Sequence, residues 1–263
     1  MKKISQISRR AFPDDDEKIE LNFQVTNEVI PRFLDIRDHI YPIVKHSLWL
    51  KRAKEALQQT DSKSTLIVKN ISGTNIGIVY AVIVEQSSVT RYISTTELNA
   101  WQISEKEMLQ YAKENIIKRI GELERTQPLF TETQTGIYYS DRLRELTSSL
   151  LAVPDVFNMI PFKTNTVVVV CPSPNLILVS HCHDPKGMCL IGELGMRQQQ
   201  REYGGPKPLR PYRIAKSSVN AYEASLVRNE ATVPINEEQL RNCRKTVFKK
   251  SRKNSINNIP SPY

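Results

Sequence analysis

Four consecutive residues, His181, Cys182, His183 and Asp184, form the one stretch of this chain where several chemically able side chains stand together. Imidazoles and thiolates bind metals, a thiolate beside an imidazole is a nucleophile, and a carboxylate can orient the imidazole. Cys189 follows and Cys171 precedes. The spacing argues against both chemistries. His-x-His with one later cysteine matches no recognised zinc arrangement, and Cys171 lies across a strand. Sequence neighbours such as Cys182 and His183 rarely meet in the geometry that activates a thiol, and no third group orients them. No metal and no cofactor is expected, and no catalytic residue is assigned. The four residues stand as a candidate site loop.

The rest of the chain offers little else for catalysis. It contains no G-x-x-x-x-G-K-[ST] loop, no G-x-G-x-x-G loop and no G-x-S-x-G elbow. His39 and His46 have no carboxylate or cysteine at ligand spacing and read as surface or boundary histidines. Glu105 and Glu107 sit in a helix start, where capping explains them.

Charge is the more specific signal. The chain carries a net +9, and from Arg201 onward thirteen Lys or Arg face five acids. The first two hundred residues are therefore nearly neutral. Arg241, Arg244, Lys245, Lys249, Lys250, Arg252 and Lys253 follow one another with no acid among them. The plain reading of such a run is a solvated tail. Contact with nucleic acid, an anionic membrane surface or an import receptor is the functional one. Ser251 and Ser255 stand beside these charges, so phosphorylation would weaken such contacts.

These groups need a scaffold. Two hundred and sixty-three residues, 40% of them hydrophobic, suffice for one large domain or two small ones. No run approaches the ~20 apolar residues that cross a bilayer. Met1-Lys2-Lys3 is followed by Ser5, Ser8, Arg9 and Arg10 where a signal peptide needs an apolar core. Four irregularly spaced cysteines do not make a disulfide framework. A soluble protein of a reducing compartment is expected, cytoplasmic, or nuclear in a eukaryote.

The stretch Ile76–Ile120 organises the scaffold. Ile76–Val84 is dense in β-branched residues and reads as a strand buried on both faces. Glu85–Ser88 is a turn and Val89–Ile93 a second strand, completing a hairpin. Ser94 with Glu97, and Ser104 with Glu107, are spaced as capping boxes that open two helices. Behind the second box Met108, Leu109, Ala112, Ile116 and Ile120 share one helical face. Trp101 stands at the joint between the helices, and Asn115 is placed to tie down a backbone group.

Around it, Asp14–Glu17 reads as solvated charge. Val25, Val29, Phe33, Ile36 and Ile40 recur at helical spacing, interrupted by Pro31 and Pro42. Ile43, Leu48, Leu50 and Leu57 carry a second helix ending near Gln59. Thr65–Lys69 is a strand. A short strand at Ile137–Tyr139 precedes a helix capped by Ser140 or Asp141 that buries Leu143, Leu146, Leu150 and Leu151. Val167–Cys171 and Leu176–Val179 are strands joined by the turn Pro172–Asn175, and Lys186–Arg201 is a helix. Gly204–Pro208 is loop. Arg210–Ile214 and Val219–Tyr222 are extended. Glu237–Arg252 reads as a basic helix, and Asn254–Tyr263 has the composition of disorder.

The order of these pieces resembles the YtpQ-like family of uncharacterised bacterial proteins, a domain of unknown function. The resemblance rests on Tyr41–Lys45, Val79–Ile83, Arg91–Ser94, Leu98–Ser104 leading to Ala112 and Asn115, and the strand-turn-strand Val167–Val179. It covers residues 21–191. Similar proteins carry an Arg-Asp pair in the turn after the valine-rich strand, where this chain has Pro172-Ser173-Pro174-Asn175. The basic tail looks like an addition. The resemblance implies a fold and an intracellular setting and supplies no reaction.

The expected fold is α+β, with a mixed or antiparallel sheet in hairpins flanked by helices. A flexible arm over residues 1–20, one domain over 21–222 and a basic, partly disordered tail over 223–263 make up the chain. The expected function is that of a non-enzymatic binding or interaction domain with an unassigned protein partner. The tail, from Arg241 to Lys253, adds possible contact with nucleic acid or an anionic surface. An enzyme with a dispersed, hydrolytic site near His181–Asp184 is the alternative.

Overall fold

The computed structural model describes residues 30–60, 65–71, 74–83, 90–162, 166–203, 211–215 and 218–221. The N-terminal arm, the helical pattern before Ile30, the turn at Glu85–Ser88, the loop at Gly204–Pro208 and the basic tail lie outside these residues. The fold is α+β, built on two antiparallel sheets. The chain divides into two compact units. One comprises residues up to Thr126 with Ser149–Val153; the other comprises Gln127–Ser148 and residues from Pro154 onward.

In the first unit the sequence of elements is α1 (Phe33–Ile36), β1 (Ile40–His46), α2 (Ser47–Thr60), β2 (Lys69–Asn70), β3 (Ile76–Ile83), β4 (Thr90–Tyr92), α3 (Thr95–Trp101) and α4 (Glu105–Glu124). β3 is the central strand, and Ile76–Val82 are all buried. It pairs along its length with β1, and at opposite ends of its other side with β2 and β4. The hairpin of β3 and β4 sets Ala81 opposite Tyr92 and Ile83 opposite Thr90.

β1 corrects the sequence reading, which runs helices through Ile40 and Ile43. Ile40-Tyr41-Pro42-Ile43-Val44 is β-branched and aromatic, and that composition prevails over the accidental spacing of Ile36 and Ile40. Pro42 fits because β1 is an edge strand, where a missing N–H costs no ladder bond. Helix α1 is cut to one turn, and α2 starts at Ser47. The strand expected over Thr65–Lys69 is reduced to a bridge between Leu66 and Ser94 and the two residues of β2.

Both capping boxes close. The Ser94 hydroxyl accepts from the Glu97 amide while Glu97 accepts from the Ser94 amide at 3.0 Å; Ser104 and Glu107 do the same. Gln102, left-handed at φ 55°, turns the chain between α3 and α4. The buried residues of α4 are Met108, Leu109, Ala112, Ile116 and Ile120, the expected face, and α4 packs on β1.

The second unit holds β5 (Thr131–Glu132), β6 (Tyr138–Ser140), β7 (Thr166–Ser173), β8 (Leu176–His181), α5 (Pro185–Tyr203), β9 (Pro211–Ala215) and β10 (Ser218–Ala221). Its sheet runs β10-β9-β7-β8-β6-β5, antiparallel throughout. α5 covers one face of this sheet. Leu190, Ile191 and Leu194 meet Val168, Val170, Leu176, Leu178, Ile137 and Tyr139 in one apolar cluster. Each such side chain contributes roughly 1.5–3 kcal/mol when fully buried.

The helix expected over Leu143–Leu151 is a 3-10 helix, Arg144–Ala152, not an α-helix. Arg144 enters it at φ 53°, and the Ser148 amide donates to the carbonyl of Pro174 at 2.9 Å instead of to its own helix. A second 3-10 helix, Pro154–Met159, follows.

Candidate functional site

The loop after β8 is built by backbone geometry. His181 ends the strand. The Asp184 amide donates to the His181 carbonyl at 3.1 Å, and the His183 amide donates to Nδ1 of His181 at 3.2 Å. Nδ1 is thus an acceptor, which places the proton of the neutral ring on Nε2. Pro185 then takes the first helical position of α5, where a missing N–H is harmless, and the Met188 amide donates to the Asp184 carbonyl at 2.9 Å. Gly187 closes the corner. A Cβ there would overlap the Ser180 hydroxyl and the Asp184 carboxylate.

The side chains of the loop do not converge on one point. Cys182 packs with Met188 and Cys189 against the apolar cluster under α5. His183 is exposed. The rings of Tyr138, Phe162, His181 and His183 instead form a line of edge and tilted contacts, with successive centroids 5.1, 5.4 and 5.4 Å apart. Among the described residues no group of three or more His, Cys, Asp or Glu is placed to hold a metal ion. Cys171 is half-buried as a residue, but its thiol is enclosed well enough that burial pushes it up to about 12. A thiol held there is a poor nucleophile at neutral pH.

A second polar group lies at the opposite end of the same sheet. Register places it there. β6 pairs Ser140, its last residue, with Ile177 of β8, and Asp141 and Arg142 follow directly on it. β7 pairs Ser173 with Leu176 across an irregularity after Val170. The Ser148 amide bonds to Pro174 in that turn, which brings Thr147 to the same end.

These groups are enclosed. The hydroxyls of Ser140, Thr147 and Ser173 are buried and make no hydrogen bond, and the same is true of Nε of Arg142. The side chains of Arg142 and Asp141 are only 13% and 9% exposed, and Nε stands 3.8 Å from Oδ1 of Asp141. The Tyr139 phenol is close enough to feel both charges. Its pKa is raised, mainly by burial and then by Asp141, with Thr131 and Arg142 partly opposing. A buried hydroxyl left unpaired costs about 1–3 kcal/mol, and a charged group costs more. Oδ1 of Asp141 is likewise buried without a hydrogen bond, so the unmet groups comprise an acceptor as well as donors, an unusual concentration for a core.

The sequence points to the first group and misses the second. It assigns Ser140 and Asp141 to capping a helix, the ordinary role of those residue types between a strand and an apolar run. Ser-Asp-Arg at that place gives no signal that the side chains are enclosed. The basic residues Arg241, Arg244, Lys245, Lys249, Lys250, Arg252 and Lys253 lie outside the described residues. No helix among the described residues is long and apolar enough to cross a membrane. Comparison with family models, curated proteins and solved structures gives no match.

Proposed function

We propose that this protein is a non-catalytic binding protein whose basic C-terminal segment holds an anionic partner. The segregation of charge carries the reading. Thirteen of the 37 basic residues fall after residue 200, against five of the 28 acids, and seven of them form the acid-free run from Arg241 to Lys253. A field of one sign confined to one segment attracts polyanions and releases their counterions. The loop at His181–Asp184 supports the same view, because its backbone and rings serve a turn and its thiol serves a core. The order of motifs that resembles the YtpQ-like family, and cysteine usage suited to a reducing cytoplasm or nucleus, belong to this proposal.

The test is a titration of labelled nucleic acid, and separately of anionic vesicles, into the full chain and into a chain ending at residue 236. At low salt the shortened chain binds at least tenfold more weakly while its melting temperature is unchanged. Affinity of the full chain falls steeply as salt rises. Binding that ignores salt, or that survives the truncation, overturns the proposal.

A further inference from the structure

We propose that the outward face of α4 is an interface between two copies of this chain, joined by their α4 helices running antiparallel. The interface uses no residue of the basic tail. Three observations carry it. The first is the order of charge. α4 buries one side and leaves Glu107, Glu114, Lys118 and Arg125 exposed. At about 3.6 residues per turn these four fall on one narrow stripe down the opposite side. Acids occupy its N-terminal half and bases its C-terminal half. A stripe of that order is self-complementary. Glu107 and Arg125 lie equally far along the helix from Ile116, and so do Glu114 and Lys118. A two-fold axis level with Ile116 therefore sets Glu107 beside Arg125 of the second copy and Glu114 beside its Lys118, each pair twice.

The second is that the chain does not use these bases itself. Among the described residues neither the Lys118 ammonium nor the Arg125 guanidinium makes a hydrogen bond or ion pair. Glu114 takes its hydrogen bond from Gln110 at 2.6 Å, toward the helix N-terminus, and not from Lys118 one turn on. The third is the centre of the face. Ile117 is 54% exposed and stands beside the axis, where it meets its own counterpart. Gly121 follows one turn later, and a Cβ there would meet nothing within 4 Å. Glycine is a poor helix former, and the fold gives no steric reason for one here. A bare backbone at this point lets the facing helix come close. Exposed ion pairs each contribute little and are screened by salt, so the association is weak and falls as salt rises.

The test is sedimentation of the full chain from micromolar to millimolar concentration, at low and high salt. The samples are the wild type, Glu114→Lys, Lys118→Glu and an equimolar mixture of the two variants. Both positions are exposed on α4, and circular dichroism verifies that each variant keeps the wild-type helix content and melting. The wild type is expected to dimerise, less tightly at high salt. Each variant alone sets like charges against each other twice and should weaken association about tenfold. In the mixture the two changes face each other with opposite charge, and the dimer returns as a heterodimer. A pairing of Glu114 with Lys118 inside one helix would not respond to mixing. A wild type that stays monomeric at millimolar concentration, a dimer that Glu114→Lys leaves intact, or a mixture that stays monomeric overturns the interface.

Discussion

Nδ2 of Asn115 donates to the carbonyl oxygen of Ile40 at 2.9 Å, tying the middle of α4 to the first residue of β1. The same nitrogen donates to the Arg37 carbonyl at 2.7 Å. Both carbonyls stand at a helix-to-strand junction, and that of Arg37 also accepts the Ile40 amide, so Asn115 adds a second donor there. Asn115→Leu is expected to destabilise the protein by about 1–3 kcal/mol, because the Ile40 and Arg37 carbonyls each lose the Asn115 donor and the amide is replaced by a side chain that cannot bond either. Asn115→Asp should be worse at neutral pH, since a carboxylate would face the two oxygens. Urea denaturation of the wild type and the two variants checks the order. Equal midpoints for the wild type and Asn115→Leu would show that the bonds contribute nothing.

The role of Asn115 was legible because an amide on the inward face of an amphipathic helix has few alternatives to a backbone partner. The capping boxes were legible for a like reason: the spacing of Ser and Glu is the geometry. β1 was not. Ile36 and Ile40 fall on a helical face by chance, and only pairing with β3 over seven residues decides the matter. The 3-10 helix at Arg144–Ala152 was hidden too, since it depends on Ser148 bonding to Pro174, a partner distant in sequence. The same bond helps assemble the enclosed polar group, which is why that group left no mark on the sequence.

The two capping boxes should respond differently to substitution. Glu97 is buried and also pairs with Arg91, whereas Glu107 is exposed. Glu97→Gln is expected to cost about 1–3 kcal/mol, because Arg91 loses its ion pair and the single amide oxygen cannot replace both oxygens that serve Arg91 and the Ser94 amide. Glu107→Gln should cost less. Hydrogen bonds from the Ser104 hydroxyl and amide hold the Glu107 carboxyl below its ordinary value of 4.5. A depressed folded-state pKa stabilises above the unfolded value and ceases to as pH falls through the folded one. The stability gap between wild type and Glu107→Gln should therefore be constant above pH 4.5 and close below it. A gap that widens with acid would contradict the assignment.

Gly187→Ala tests the corner at the start of α5. The added methyl group would overlap the Ser180 hydroxyl and the Asp184 carboxylate, and Ser180 lies on a buried strand that has little room to yield. Overpacking of this kind costs about 1–3 kcal/mol. The double variant Gly187→Ala with Asp184→Ser relieves one overlap and should recover part of the loss. Recovery measured by thermal unfolding would separate a steric cause from a loss of backbone freedom.

Thiol labelling tests the chemistry of the sheet itself. Burial pushes the Cys171 thiol up to about 12, so at pH 8 almost none is thiolate. Alkylation requires the thiolate and a path to it. Native protein treated with iodoacetamide at pH 8 should carry no label on Cys171 in peptide mass spectra, and full label after unfolding in guanidinium. Raising the native reaction to pH 9.5 multiplies the thiolate about thirtyfold yet still leaves it under about 1% of the thiol, so labelling should stay slow against the unfolded chain. Fast native labelling of Cys171 would mean that the end of β7 opens readily. That opening would also expose Ser173 two residues on, whose hydroxyl is buried in the closed strand.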